Sequence, residues 1–220
     1  VVYLFAQRRG WIDPIGLLLV GVIVNAINGA AIMFVQYLAP KGLRGDLMTW
    51  MMGYFNDSLV WEPTRLFMEG RADPITLVVM ITIVGFLISV WMGRAMDVAT
   101  FSDAEAHSLG VNLAVLRLVM FLVAGVMTAG SVVLAGPIGF VGLICPHWMR
   151  LLTGPRHRPL VIGAAMLGAG LVVAADVAIK ALDVYWLESG LMPVGVLTAL
   201  IGGPAFLVML RPQLGRGGWT

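Results

Sequence analysis

The stretch LVMFLVAGVMTAGSVVLAGPIGFVGLICPHWM, residues 118–149, holds no Lys, Arg, Asp or Glu across 32 positions. Crossing about 30 Å of hydrocarbon takes roughly 20 helical residues, so this run is too long for one ordinary span. Gly136-Pro137 and then Gly139 interrupt it, because proline has no N–H to donate and its ring clashes with the preceding turn. The run therefore reads as a helix ending near Ala135, followed by one that starts near Ile138 and reaches Leu152, short for a full crossing. Working outward, residues 14–40, 74–93, 159–175 and 189–210 are also free of charge. The third of these reaches span length once Asp176 and Lys180 are counted inside the same helix. Six membrane helices are expected, and VVYLFA ahead of Gln7, Arg8 and Arg9 reads as the tail of a seventh. With no initiator Met and no charged leader before a cleavage site, that opening is expected to belong to the C-terminal portion of a longer chain.

The composition excludes a water-soluble globule. Of 220 residues, 60% are apolar and 12% charged, against about 25% charged in soluble domains. Lipid must cover most of that apolar surface, and the fold class is an all-α polytopic transmembrane helical bundle forming one domain over residues 1–220. The lone Cys145 excludes a disulfide framework and any multi-cysteine metal site. A net charge of +2, with its basic residues scattered, gives no footprint for nucleic acid. The basic residues set orientation instead. Alternating the spans puts Arg8, Arg9, Arg94, Arg117, Arg150, Arg156, Arg158, Arg211 and Arg216 on one face, and Lys41, Arg44, Arg65, Arg71 and Lys180 at or towards the other. The richer face is cytoplasmic by the positive-inside rule, and the C-terminus lies there too. Trp11, Trp91 and Trp148 then fall near the inner boundary, and Tyr37, Trp50, Trp61 and Tyr185 near the outer one. Residues 41–73 form the longest connection, in which LRGDLMTWMMGYF is apolar enough for a short helix along the membrane surface.

Several constellations carry functional readings. In residues 97–112, Ser102 followed by Glu105 is a capping-box pattern that starts a short helix, and Gly110 permits the left-handed turn that ends it. Such a helix between two membrane spans has the shape needed to transmit force from a soluble partner; the plainer reading is an ordinary inter-helix loop. Gly136, Gly139 and Gly142 recur at a spacing that would give a helix a smooth stripe for close approach, and Pro146 bends the turn that follows. Cys145 with His147 are two metal ligands without partners. Asp176 and Lys180, four apart, are expected to pair, since each alone would cost roughly 2.5–3.5 kcal/mol at the membrane centre; a proton relay is the alternative. Asn25, Asn28, Gln36, Thr82, Ser89, Thr128 and Ser131 should face other helices or a wet pathway. Met48, Met51, Met52 and Tyr54 offer haem-ligand atoms, or simply an apolar surface face. No GxxxxGK[ST], GxSxG or HExxH occurs, so the chain itself is not expected to hydrolyse ATP or to be an enzyme.

Taken in order, MTWMMGYF (48–55), SDAEAHSLGV (102–111), AGPIGFVGLICPHWMRLLTGPRHR (135–158), AAD (174–176) and MPVGVLTALIGGPAF (192–206) resemble the permease subunits of type II ABC importers for iron-siderophore, haem or vitamin B12. The resemblance runs from about Asp13 to Arg211. It implies a ten-helix permease of which this chain holds the end of the fourth helix and the fifth to tenth. It also implies a second permease copy in a homodimer or pseudo-dimer, an ABC ATPase carrying ATP-Mg, a periplasmic or lipid-anchored substrate-binding protein, and a setting in the bacterial inner membrane. No cofactor of its own is implied. Residues 102–111 match the family's coupling segment, where Asp103, Ala106, Leu109 and Gly110 would dock into the ATPase. Pro193 and Gly195 would open the tenth helix, and Gly136, Pro137, Gly139 and Gly142 would turn the seventh into the eighth. The chain departs from the usual pattern at Ser102-Asp103, where Gly-Glu is common, at His107, where a basic residue usually follows, and at Leu191-Met192-Pro193, where Glu-Leu-Pro is usual; Glu188 stands nearby. The rival readings are a zinc or manganese ABC permease and an ion-coupled secondary transporter with Asp176 and Lys180 as its ion site.

Overall fold

The computed structural model describes residues 7–8, 11–12, 14–54, 74–101, 103–184 and 192–214. The expected helix tail before Gln7, Trp61, Ser102, Tyr185, Glu188 and Leu191 lie outside the described residues. Within them run helices α1 (Pro14–Leu38), α2 (Lys41–Met51), α3 (Pro74–Val98), α4 (Asp103–Ser108), α5 (Leu113–Ala135), α6 (Val141–Thr153), α7 (His157–Leu182) and α8 (Val194–Leu214). A minimal antiparallel pairing of Gln7–Arg8 with Trp11–Ile12 precedes α1. Segments of α1, α3, α5 and α7 are long and apolar enough to cross a membrane. The 21-residue α8 coincides with the last expected span. The 13-residue α6 covers only about 20 Å at 1.5 Å per residue.

The chain divides into two units, residues 1–48 and 49–220. In the first, α1 stops before Pro40, and Arg44 folds back to satisfy carbonyls at the helix end. Its Nε donates to Ala39 O at 3.0 Å and its Nη2 to Tyr37 O at 2.8 Å, placing a cation where the helix dipole is negative.

The second unit has a sparse interior. Ile144, Cys145, Leu160 and Ile179 are buried, whereas Leu77, Trp91, Leu151, Leu200 and Leu207 are exposed. That inversion suits a bundle whose outer surface meets lipid, where close packing of small residues holds helices together. Gly85 of α3 lies under Met127 and Val123 of α5, Gly163 of α7 under Met149 of α6, and Gly202 of α8 under Phe140. Thr82, Ser89 and Ser131 donate to the carbonyls of Val78, Gly85 and Met127 one turn back, at 2.8, 2.8 and 2.9 Å. Their hydroxyls are thus satisfied within their own helices and leave the inter-helix contacts apolar.

The break in the long uncharged run is sharper than the sequence implies. Helix α5 ends at Ala135 as expected, but α6 starts at Val141, three residues after Ile138. Gly136 has φ +69° and ψ −179°, a region essentially reserved for glycine. Phe140 has φ +67° at the N-cap of α6, so helical backbone resumes only after it.

At this turn three backbone segments converge. The amide of Gly195, in the first turn of α8, donates to Gly53 O at 3.2 Å. A β-carbon on Gly53 would lie 3.1 Å from both Ile138 Cγ1 and Pro137 O. One on Gly136 would run into Trp50 O, and one on Gly195 into Met52 O. Trp50 Nε1 donates to Val133 O at 3.4 Å. Gly136→Ala is expected to destabilise the protein by about 2–4 kcal/mol, because the new methyl meets backbone and occupies a glycine-only conformation. Gly139→Ala, with nothing within 4 Å, should leave the melting temperature of the detergent-solubilised protein unchanged; equal losses from both would contradict this account.

Candidate coupling face and membrane pathway

Helix α4 is closed by a complete reciprocal C-terminal motif. Gly110 takes φ +78°, its amide donates to His107 O at 3.0 Å, and the Val111 amide donates to Ala106 O at 3.1 Å. This pair of bonds defines a Schellman ending. Asn112 then caps α5, its Oδ1 accepting from the Val115 amide at 3.2 Å. The expected glycine stop is therefore present. Glu105, His107, Leu109 and Gly110 are exposed, with Leu109 at 62% and the neighbouring Phe101 at 57%. Ala106, by contrast, has no exposed surface. Asp103 begins α4.

The same end of the second unit holds a contact that the sequence reading missed. Arg156, the N-cap of α7, supplies no side-chain cap. Asp97, from the last turn of α3, supplies one in its place: its Oδ1 lies 2.7 Å from the His157 amide and 2.7 Å from His157 Nδ1. A carboxylate at a helix N-terminus satisfies a free donor and opposes the helix dipole favourably. One turn earlier, the bare backbone of Gly93 receives the stem of Arg158, whose Nη2 donates to Trp91 O at 3.4 Å. The only sequence signal for this contact was an uncapped helix start at Arg156-His157, and nothing local pointed to Asp97 as its partner.

The expected pathway residues separate into distinct places. Asn25 and Asn28 are exposed on α1. Gly136 and Gly195, with Pro137 and Pro193 beside them, belong to the glycine junction described above. Gly139 and Gly142 have nothing within 4 Å, so among the described residues the smooth stripe receives no neighbouring helix; Gly139 also precedes α6. Pro146 lies inside α6, next to the buried Cys145. Met48 and Met52 are exposed. A cavity of about 290 Å³ lies between α6, α7 and α8, lined by Phe140, Trp148, Ala174, Ala178, Thr198 and Gly202 among others. Phe140, in its strained backbone conformation, packs against the bare face of Gly202.

Asp176 and Lys180 pair as their spacing requires, with Nζ 3.0 Å from Oδ2. Within the second unit, the Asp97–His157 contact and the glycine junction lie at opposite ends of the helices, and the Asp176–Lys180 pair lies near the end of α7.

The architecture defined by these features is that of a multi-pass membrane protein, and comparison with known proteins identifies the family. The model of the FecCD transport family matches residues 1–212; the chain belongs to that family. It is 35% identical over 212 residues to a cobalamin import system permease of Halobacterium salinarum, covering 96% of this chain and 52% of that protein. It is 33% identical over 205 residues to a hemin transport system permease of Yersinia pestis, covering 92% of this chain and 56% of that protein. The chain thus spans about half the length of the curated relatives it matches. A solved structure of a metal-chelate type ABC transporter in an inward-facing conformation superposes with a TM-score of 0.74 at 27% identity, over 96% of this chain and 62% of that one.

If the Asp176–Lys180 pair is structural, Asp176→Asn and Lys180→Met should each lower thermal stability by about 1–3 kcal/mol, and the double variant should recover most of the loss. Tryptophan fluorescence during thermal unfolding reads this directly. Losses that simply add would count against a structural pair.

Proposed function

We propose that this chain is the C-terminal part of the permease subunit of an ATP-driven importer for iron complexes, ferric siderophore or haem, or for cobalamin. The observation that carries the reading is α4: a short helix, closed at its C-terminal side by the Gly110 ending and flanked by the exposed Leu109 and Phe101, between two membrane-length helices. A helix so placed serves as the lever through which an ABC ATPase moves the membrane part. Family membership and the likeness to cobalamin and hemin permeases support the substrate class. The exposed Asn25 and Asn28 on an otherwise apolar span support a second permease copy, since polar side chains in a membrane helix need a protein or water partner.

In this proposal the α4 end of the bundle and the C-terminus face the cytoplasm of a bacterial inner membrane, in agreement with the distribution of Arg. ATP-Mg is bound and hydrolysed on the separate ATPase, and a periplasmic or lipid-anchored binding protein delivers substrate to the opposite side. ATP-driven closure displaces α4, and the helices rock so that a central passage between two permeases opens to one side at a time. Small and apolar side chains along such a passage impose few specific contacts on a bulky complex.

The decisive experiment reconstitutes the full-length permease with its ATPase and adds binding proteins loaded with haem, ferric siderophore or cobalamin. Stimulation of ATP hydrolysis by one of them supports the reading and names the cargo; no association with any ATPase overturns it. In the same system Gly110→Val, which forces a β-branched residue to φ +78°, should lower uptake about tenfold while ATP hydrolysis persists.

A further inference from the structure

The geometry points to Asp97 as a positioning residue for energy transmission: it ties the root of the coupling segment to the first turn of α7, so that displacement of α4 reaches α7 instead of being absorbed in the intervening link. This inference rests on the importer reading above.

Asp97 acts in two directions at once. Its backbone carbonyl accepts from the Thr100 amide at 3.2 Å and from Thr100 Oγ1 at 2.7 Å, and the Phe101 amide donates to Val98 O at 3.1 Å. The chain that leaves α3, as far as Phe101, is thereby wound into a tight turn anchored on Asp97. The side chain meanwhile reaches 60 residues along the sequence to the α7 N-terminus, where one carboxylate oxygen accepts from both the His157 amide and Nδ1–H. The His157 side chain is 16% exposed and that of Asp97 36%, so the contact is shielded from water on the imidazole side and open on the carboxylate side. The Gly93–Arg158 approach one turn away leaves α3 and α7 no slack there: a β-carbon on Gly93 would lie 3.2 Å from the Arg158 amide nitrogen. Helix α7 in turn packs against both α6 and α8. A displacement carried by the chain into residues 97–101 thus has a short, hydrogen-bonded route into α7, which packs on the other two helices around the 290 Å³ cavity.

A cap that only stabilises α7 would look the same in a static structure, and a pair of variants separates the two roles. Asp97→Ala removes both the cap and the tie. Asp97→Ala combined with Arg156→Asp returns a carboxylate to the α7 N-cap from its own chain position, restoring the cap without the tie. Both are compared with the wild-type protein in proteoliposomes containing the full-length permease, ATPase and loaded binding protein, by measuring ATP hydrolysed per substrate imported and the melting temperature. The expected result is that the double variant regains the melting temperature but still consumes at least about fivefold more ATP per substrate than wild type. Asp97→Asn, which keeps one acceptor, should lie between. Wild-type stoichiometry in either the single or the double variant would overturn the inference, as would failure of both to assemble with the ATPase, which would make Asp97 an assembly residue. A wild-type protein that shows no substrate-stimulated hydrolysis at all would instead count against the importer reading.

Discussion

The second unit depends on the close approach of three stretches of bare backbone at Gly53, Gly136 and Gly195. Side chains cannot mediate this contact, because a methyl group on Gly136 or Gly195 would occupy the space of a neighbouring carbonyl. Its strength comes from what the missing side chains allow: a hydrogen bond from the first turn of α8 to the end of the segment after α2, and direct contact of peptide groups that would otherwise lie unsheltered. In a setting without free water, backbone that leaves the helical pattern must find its partners in protein. The junction supplies them where the chain turns from α5 to α6.

The opposite end of the same unit uses different chemistry for a related purpose. There the helices are joined by a carboxylate shared between an amide and an imidazole, and by an arginine stem lying across a glycine. Apolar contacts of modest extent fill the region between. Between these ends lie cavities, among them one of about 290 Å³ beside Phe140 and one of about 380 Å³ between α3 and α5.

Charge-free runs and the Gly136-Pro137 break made the membrane helices legible in the sequence, including the end of α5 at Ala135 and the shortness of α6. The late start of α6 was not legible, because it follows from a phenylalanine with positive φ held against Gly202, a contact between distant helices. The stop of α4 at Gly110 could be read locally, since a Schellman ending is encoded within a few residues. Which face of α4 turns outward could not, so the burial of Ala106 beside the exposed Glu105 and His107 came only from the structure. The glycine stripe at 136, 139 and 142 was a periodicity argument carried across the turn before α6, where Gly136 and Gly139 are not helical and only Gly142 is. Asp97 and His157 stayed invisible because an N-cap supplied from another helix leaves no pattern at either position.

The bond between Gly53 and Gly195 also carries a consequence for biogenesis. Its two halves sit at opposite ends of the unit in chain order, so the junction cannot close until α8 has been synthesised. Until then Gly53 O awaits the Gly195 amide, and Met52 O lacks the bare backbone that covers it. Completion of the bundle is therefore a terminal event: truncation shortly before residue 195 would leave every preceding helix encoded, yet remove the piece that closes the structure.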